Sequence, residues 1–345
     1  MTIAYFDAEP GDLEKLRTAF PSARLTVVPD PLKEDTAAAA QDAEILSVFV
    51  RSRVPKAVLD EMPNLKMIAA RSTGFDHIDL AECERRGIVV ANVPVYGENT
   101  VAEHAFALIL ALARKIFQSY ERTERMNFDR TGLQGFDLFG RTLGVVGTGN
   151  IGKHAIRIGR GFSMNVIAHD IKPDLQLAGE LGFSYTQTLD ELLRKSDVVT
   201  LHVPYIPPTH HLINRENIQK MKRGGVLINT SRGGLVDTAA LLWALEEGIV
   251  SGAGLDVLEE ENDTYEEIEL LSKEFPQNKD IATILRNHIL VARENVIITP
   301  HNAFNSVEAV QRIFDTTTGN IRTFLDGKPM NVVKPKPQQK GGEHS

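Results

Sequence analysis

The stretch LGVVGTGNIG (143–152) constrains this chain more than any other. Glycine loses more backbone freedom on folding than any other residue, so Gly147, Gly149 and Gly152 directly after an apolar run need a physical reason. Their spacing is G-x-G-x-x-G, between a predicted strand (Leu143 to Val146) and a predicted helix (Asn150 to Ile158). Such a turn aims backbone N–H groups from a helix N-terminus, where the macrodipole favours a diphosphate. On this reading Gly147, Gly149, Asn150, Ile151 and Gly152 hold the phosphates. Without a ligand the same string is an ordinary glycine turn, and the next segment discriminates. NVIAHD (165–170) reads as a second strand ending in Asp170, 18 residues after Gly152. An acid there can accept from the adenosine ribose. Strand, turn, helix, strand and acid in this order predict a dinucleotide-binding unit. Asp170, followed by Ile171 where a 2′-phosphate would want a base, predicts NAD as the cofactor, with NADH preferred over NADPH and the preference softened by nearby Lys172.

A length of 345 residues implies two domains, and 42% apolar composition can fill two cores. The net charge of −8 argues against a general nucleic-acid or anionic-membrane binder. One cysteine, Cys83 in the helical pattern DLAECERRG, allows no intrachain disulfide and offers no thiolate metal site; it reads as packing, and no metal is expected. This usage fits a reducing compartment, and MTIAYFDAEPGD lacks the pattern of a signal peptide, so the expected location is cytoplasmic. The most apolar helical run, AFALILALA (105–113), is far short of the roughly 20 residues needed to span a bilayer.

β-rich runs alternate with helical patterns along the chain, the signature of parallel α/β architecture. Strands are predicted at 2–7, 24–28, 43–49, 65–70 and 87–92, forming one α/β unit. A long helix from about Val101 to Arg122 leads to the glycine turn, and further strands follow at 197–203, 225–231, 252–257 and 295–301. The run EEENDTYEEIEL (259–270) holds seven acids and no base and reads mostly as a solvated loop or helix face; the polar tail 334–345 is expected to be disordered.

Ligands of open parallel sheets bind beyond the carboxyl ends of the strands. Those ends carry His202, Val203 and Pro204, then Thr230, Ser231 and Arg232, then Asp256, and last His301. Hydride transfer between a nicotinamide and a hydroxyl/carbonyl pair needs an acid/base, which histidine supplies. Arginine can clamp a carboxylate and polarise a carbonyl, and a carboxylate can orient the histidine. Each has a plainer reading: Arg232 as a turn arginine, Asp256 as a cap, His301 as a packed loop residue. His202, Val203, Pro204 and Thr230 read as lining the dinucleotide cleft, but these patterns do not choose between His202 and His301 as the base. His77, His104, His154, His210, His211, His288 and His344 end no predicted strand and read as structural or solvent-facing.

The ordered strings RSTGFDHIDL, NVPVYGENTVAEHA, GVVGTGNIG, DVVTLHVP, LINTSRGGLVD, GLDVLEEE and TPHNAF make this chain resemble the D-isomer-specific 2-hydroxyacid dehydrogenases over roughly residues 40–330, most closely the D-lactate dehydrogenase type. The resemblance implies two doubly wound parallel-sheet domains, a Rossmann NAD-binding domain (101–301) inserted into a flavodoxin-like substrate domain (1–100 and 302–333). It selects His301 as acid/base, Glu261 as its carboxylate partner and Arg232 as the substrate clamp, and places Asp256 near the nicotinamide. Thr73 and Gly74 would hold the substrate carboxylate, with Tyr96 and Phe304 lining a small 2-oxo acid pocket; Phe49 is a weaker match. Glu261 is followed by Asn262 where many members have proline, so Glu259 and Glu260 stay open as the partner. The implied reaction interconverts pyruvate and D-lactate, with glyoxylate, 2-oxoisocaproate or phenylpyruvate as competing substrates. A different class, NAD-sensing corepressors, resembles the same family. The helix from Val101 resembles the family's dimer-forming helix and implies a homodimer.

Overall fold

A computed structural model describes residues 1–259 and 281–335. The chain divides into two compact units, Met1–Tyr96 with Ser306–Ser345, and Gly97–Asn305. The sequence had set these boundaries at 100/101 and 301/302. The first division falls just before the helix Glu98–Arg114 and the second at Ser306, the N-cap of the helix Val307–Leu325.

The first unit carries strands β1 (Thr2–Tyr5), β2 (Arg24–Val27), β3 (Ile45–Val48), β4 (Met67–Ala70) and β5 (Val89–Ala91). They form one parallel sheet in the order β2-β1-β3-β4-β5, the flavodoxin-like winding. Both faces are covered: Ala4, Leu46 and Ile68 enter one core, Ile3, Ile45 and Met67 the other. That period-2 split of wholly apolar strands is what a parallel sheet buried on both sides requires. Cys83 is buried in the helix Leu80–Arg86, and burial pushes its thiol up to about 12, so it packs rather than reacts.

The second unit carries β6 (Thr142–Val146), β7 (Asn165–His169), β8 (Ser184–Tyr185), β9 (Val198–Leu201), β10 (Gly225–Asn229), β11 (Val250–Leu255) and β12 (Val296–Ile298). Their order is β12-β11-β10-β9-β6-β7-β8, and every pairing is parallel. This is the Rossmann winding with one strand added at the far edge, reversing direction between β6 and β9. The sequence did not predict β8, whose two residues are too few to show a period.

The helix expected from Val101 to Arg122 is two helices, Glu98–Arg114 and Ile116–Glu124, broken at Lys115. Lys115 takes a left-handed conformation (φ 51°) and its N–H caps the carbonyls of Ala111 and Leu112. No glycine or proline marks the break. The first helix packs on the sheet through Ala105, Leu108 and Ile109. Gly254 of β11 permits this, since a Cβ there would lie 2.9 Å from Leu108 Cβ. Among the described residues no helix is long and apolar enough to cross a membrane.

Candidate active site

The glycine turn is built as a phosphate cradle needs. Gly147 has φ 92°, and a Cβ there would come within 2.6 Å of the His202 carbonyl oxygen. At Gly152 a Cβ would lie 2.0 Å from the carbonyl oxygen of Gly147, so only glycine lets the helix close on the turn. Gly149 differs: a methyl group there would meet nothing within 4 Å. It is the N-cap of the 12-residue helix Asn150–Gly161, whose first N–H groups lie beside that open space. Asn150 is exposed and Ile151 half-buried at the start of this helix.

Asp170 directly follows β7. Its Oδ2 accepts from the Thr148 N–H (2.8 Å) and the Thr148 hydroxyl (3.0 Å), and its Oδ1 from the Lys172 N–H (2.9 Å). Burial opposes ionisation, but these donors outweigh it and hold the carboxyl below its ordinary value. The cradle, the open space at Gly149 and this anionic acceptor fit a dinucleotide with an unphosphorylated ribose.

The other predicted residues lie just past the carboxyl ends of β9 to β12. Backbone bonds join them: Asp256 N–H donates to the Asn229 carbonyl, and His301 N–H to the Asp256 carbonyl, each at 2.9 Å. The Asn229 side chain shapes the arginine turn, with Nδ2 donating to the Arg232 carbonyl (2.8 Å) and Oδ1 accepting from Ser231 N–H (3.1 Å). Arg232 and His301 are therefore fixed to one frame. Gly233 presses this turn against Leu258, where a Cβ would lie 1.9 Å from the carbonyl oxygen.

Asp256 is wholly buried, and its carboxylate accepts from the Thr299 hydroxyl (2.5 Å) and the N–H groups of Asn302 (3.0 Å) and Ala303 (2.9 Å). Burial raises its pKa, against the pull of those donors and of His104 and His301. The carboxylate thus serves the loop that carries His301, which is itself left-handed at φ 51°. His104, read from the sequence as structural or solvent-facing, joins this cluster: its Nε2 lies 3.0 Å from Thr299 Oγ1 and 3.5 Å from Asp256 Oδ1. Its place in the helix Glu98–Arg114 does not reveal a partner just past β12.

His202 is buried with Nε2 on the Thr200 hydroxyl (3.0 Å), and burial lowers its pKa to about 4. Burial thus disfavours its charged form. Val203 packs at the glycine turn, Pro204 is exposed and Thr230 is buried. Glu259 Oε1 lies 2.5 Å from His211 Nε2, while Oε2 accepts from the Thr238 hydroxyl (2.7 Å) and N–H (3.2 Å). Glu259 is committed there; Glu260 and Glu261 lie outside the described residues. Phe304 is half-buried three residues after His301.

In the first unit the carbonyls of Thr73 and Gly74 accept from Asn92 Nδ2 (2.9 Å) and the Ser72 hydroxyl (2.6 Å). The segment is pinned by its oxygens, and its two N–H groups donate to no described residue. Tyr96 is half-buried, its carbonyl accepting from Arg312. Buried Arg71 stacks 3.7 Å above the Tyr5 ring beside Phe49.

A Rossmann sheet with an acid after its second strand and polar groups beyond its far strands fits a dinucleotide-binding domain. Residues 106–303 match the model of the family described as D-isomer specific 2-hydroxyacid dehydrogenase, NAD binding domain. The chain is 40% identical over 307 residues to a 2-hydroxyacid dehydrogenase homolog of Haemophilus influenzae, covering 88% of this chain and 90% of the relative. It is similar to the structure of the pyruvate reductase of Chlamydomonas reinhardtii (TM-score 0.85, 37% identity, 95% and 97% of the two chains). It is also similar to the D-lactate dehydrogenase of Aquifex aeolicus complexed with NAD and lactic acid (TM-score 0.82, 37% identity, 94% and 96%). The chain belongs to the D-isomer-specific 2-hydroxyacid dehydrogenases, of the D-lactate dehydrogenase type, and is an NAD-dependent enzyme of that family.

Proposed function

We propose that the enzyme interconverts pyruvate and D-lactate, with His301 as acid/base and Arg232 as the carboxylate and carbonyl clamp. The observation that carries this reading is the shared frame: the Arg232 turn and the His301 loop are tied through Asn229 and Asp256. The glycine cradle and Asp170 would hold the dinucleotide, which would supply or accept the hydride when bound. In reduction, His301 donates the proton that completes the hydroxyl, and in oxidation it takes that proton back. The Arg232 fork grips the substrate carboxylate and polarises the carbonyl as negative charge builds on its oxygen. The N–H groups of Thr73 and Gly74 bind the carboxylate, Tyr96 and Phe304 confine the substrate methyl, and Glu261 is the partner of His301. The names of similar proteins, a pyruvate reductase and a D-lactate dehydrogenase with lactic acid, support this substrate.

A panel of pyruvate, glyoxylate, 2-oxoisocaproate and phenylpyruvate, followed by loss of NADH absorbance, tests it. Pyruvate is expected to give the highest kcat/KM. One added methylene changes discrimination by only about 1–3 kcal/mol, so a bulkier acid favoured about tenfold or more would overturn the assignment.

The homodimer reading is supported by exposed apolar side chains on and after the second helix of the broken pair: Ile116, Phe117, Tyr120, Met126, Phe128 and Phe139. Sedimentation at micromolar concentration checks it. The single buried thiol supports a cytoplasmic location.

A further inference from the structure

We propose that Tyr185 is a positioning residue for cofactor choice, acting through Thr148 on Asp170. The inference rests on the reading of Asp170 as the ribose acceptor. Tyr185 ends β8, where it pairs in register with Ala168 of β7, two residues before Asp170. Its hydroxyl lies 2.9 Å from the Thr148 hydroxyl, which lies 3.0 Å from Asp170 Oδ2. The proton order follows from counting. An ionised carboxylate only accepts, so the single Thr148 proton points to Asp170 and the Tyr185 hydroxyl must donate to Thr148. The chain runs Tyr185 O–H to Thr148 O–H to Asp170. Phe183 holds the Tyr185 ring edge-on at 5.0 Å.

Asp170 Oδ2 already receives two donors and Oδ1 one. The carboxylate therefore cannot rotate and offers the ribose one oxygen, Oδ1. A freely turning carboxylate could swing aside from a 2′-phosphate; this one cannot. Ile171 beside it is exposed and supplies no cation. Rejection of NADPH thus depends on Thr148 and Tyr185 as well as on the acid.

The test measures dissociation constants of NADH and NADPH by nucleotide fluorescence for the parent, Tyr185→Phe, Thr148→Val, Thr148→Ser and Asp170→Asn. Loss of one hydrogen bond of roughly 1 kcal/mol predicts that Tyr185→Phe narrows the NADPH/NADH Kd ratio about fivefold. Thr148→Val should narrow it at least as much, and Thr148→Ser, which keeps the hydroxyl, should restore it. General damage to the fold would weaken both nucleotides together and leave the ratio in place. A ratio moved by Asp170→Asn but not by Tyr185→Phe overturns the role of Tyr185. A ratio unmoved by Asp170→Asn overturns the reading of Asp170 itself.

Discussion

Asp256 holds His301 through the backbone: the Asp256 carbonyl accepts from His301 N–H, and the Asp256 carboxylate accepts from the next two N–H groups, those of Asn302 and Ala303. His301 adopts a left-handed backbone that costs a non-glycine residue roughly 1–2 kcal/mol, and these bonds hold it there. Asp256→Asn keeps the shape but must turn an NH2 group toward donors. Losing hydrogen bonds to a charged group, about 1.5–3 kcal/mol, should lower kcat/KM for pyruvate by about 10–100-fold. The NADH Kd should change little, because this carboxylate is spent on the His301 loop. Near-parental turnover would show that the loop keeps its form without Asp256.

Arg232→Lys tests the clamp. The ammonium keeps the charge but cannot reproduce a planar two-pronged contact. Both kcat and KM for the oxo acid should worsen, together about 100-fold in kcat/KM if two charge-assisted bonds are degraded. NADH affinity should hold, since the Asn229 side chain still bonds the Arg232 carbonyl and Ser231 N–H in the variant. Normal kinetics in the lysine variant would remove Arg232 from the site.

His202 gives a stability prediction. Its folded pKa is about 4 against an ordinary 6.5, because burial disfavours the charge. Below the ordinary value the unfolded chain takes up a proton that the folded chain refuses. The stabilisation is complete above about pH 6.5 and lost as pH falls toward 4, reaching about 3 kcal/mol in full. His202→Gln removes the titration. Its apparent Tm should fall less than the parent's between about pH 7 and pH 5. Equal falls in the two proteins would place the acid sensitivity elsewhere.

Much of this was legible in the sequence because parallel strands buried on both faces are continuous apolar runs. The strands beyond β8 and the residues that end them could be read directly. The glycine turn was legible for the same local reason, since Gly147 and Gly152 answer to backbone contacts within the motif and to the end of β9. What escaped depends on distance across the fold. Lys115 breaks a helix without a glycine or proline to announce it. His104 reaches Thr299 from 195 positions away, and Tyr185 reaches Thr148 across a sheet whose edge strand is too short to show a pattern. The burial of His202 is likewise something a pattern of residue types does not carry.

The proposed pairing of His301 with Glu261 can be tested against the neighbouring Glu259. Glu259 is bound to His211 and Thr238, joining the segment after β11 to the start of the helix Thr238–Glu246. That role is structural, so Glu259→Gln should lower stability by about 1 kcal/mol, a drop of a few degrees in Tm, about 2–4 °C. It should leave the pH profile of reduction in place. Glu261→Gln should do the reverse. In the proposed reaction, reduction consumes a proton that His301 delivers, and an anion beside any histidine favours its protonated ring. Removing the anion should move the alkaline limb of pyruvate reduction to lower pH, and the acid limb of D-lactate oxidation with it. The measurement is kcat/KM against pH in both directions for the parent and the two variants. A limb that moves with Glu259→Gln and stays with Glu261→Gln would mean that Glu259 leaves His211 during turnover and serves His301 instead.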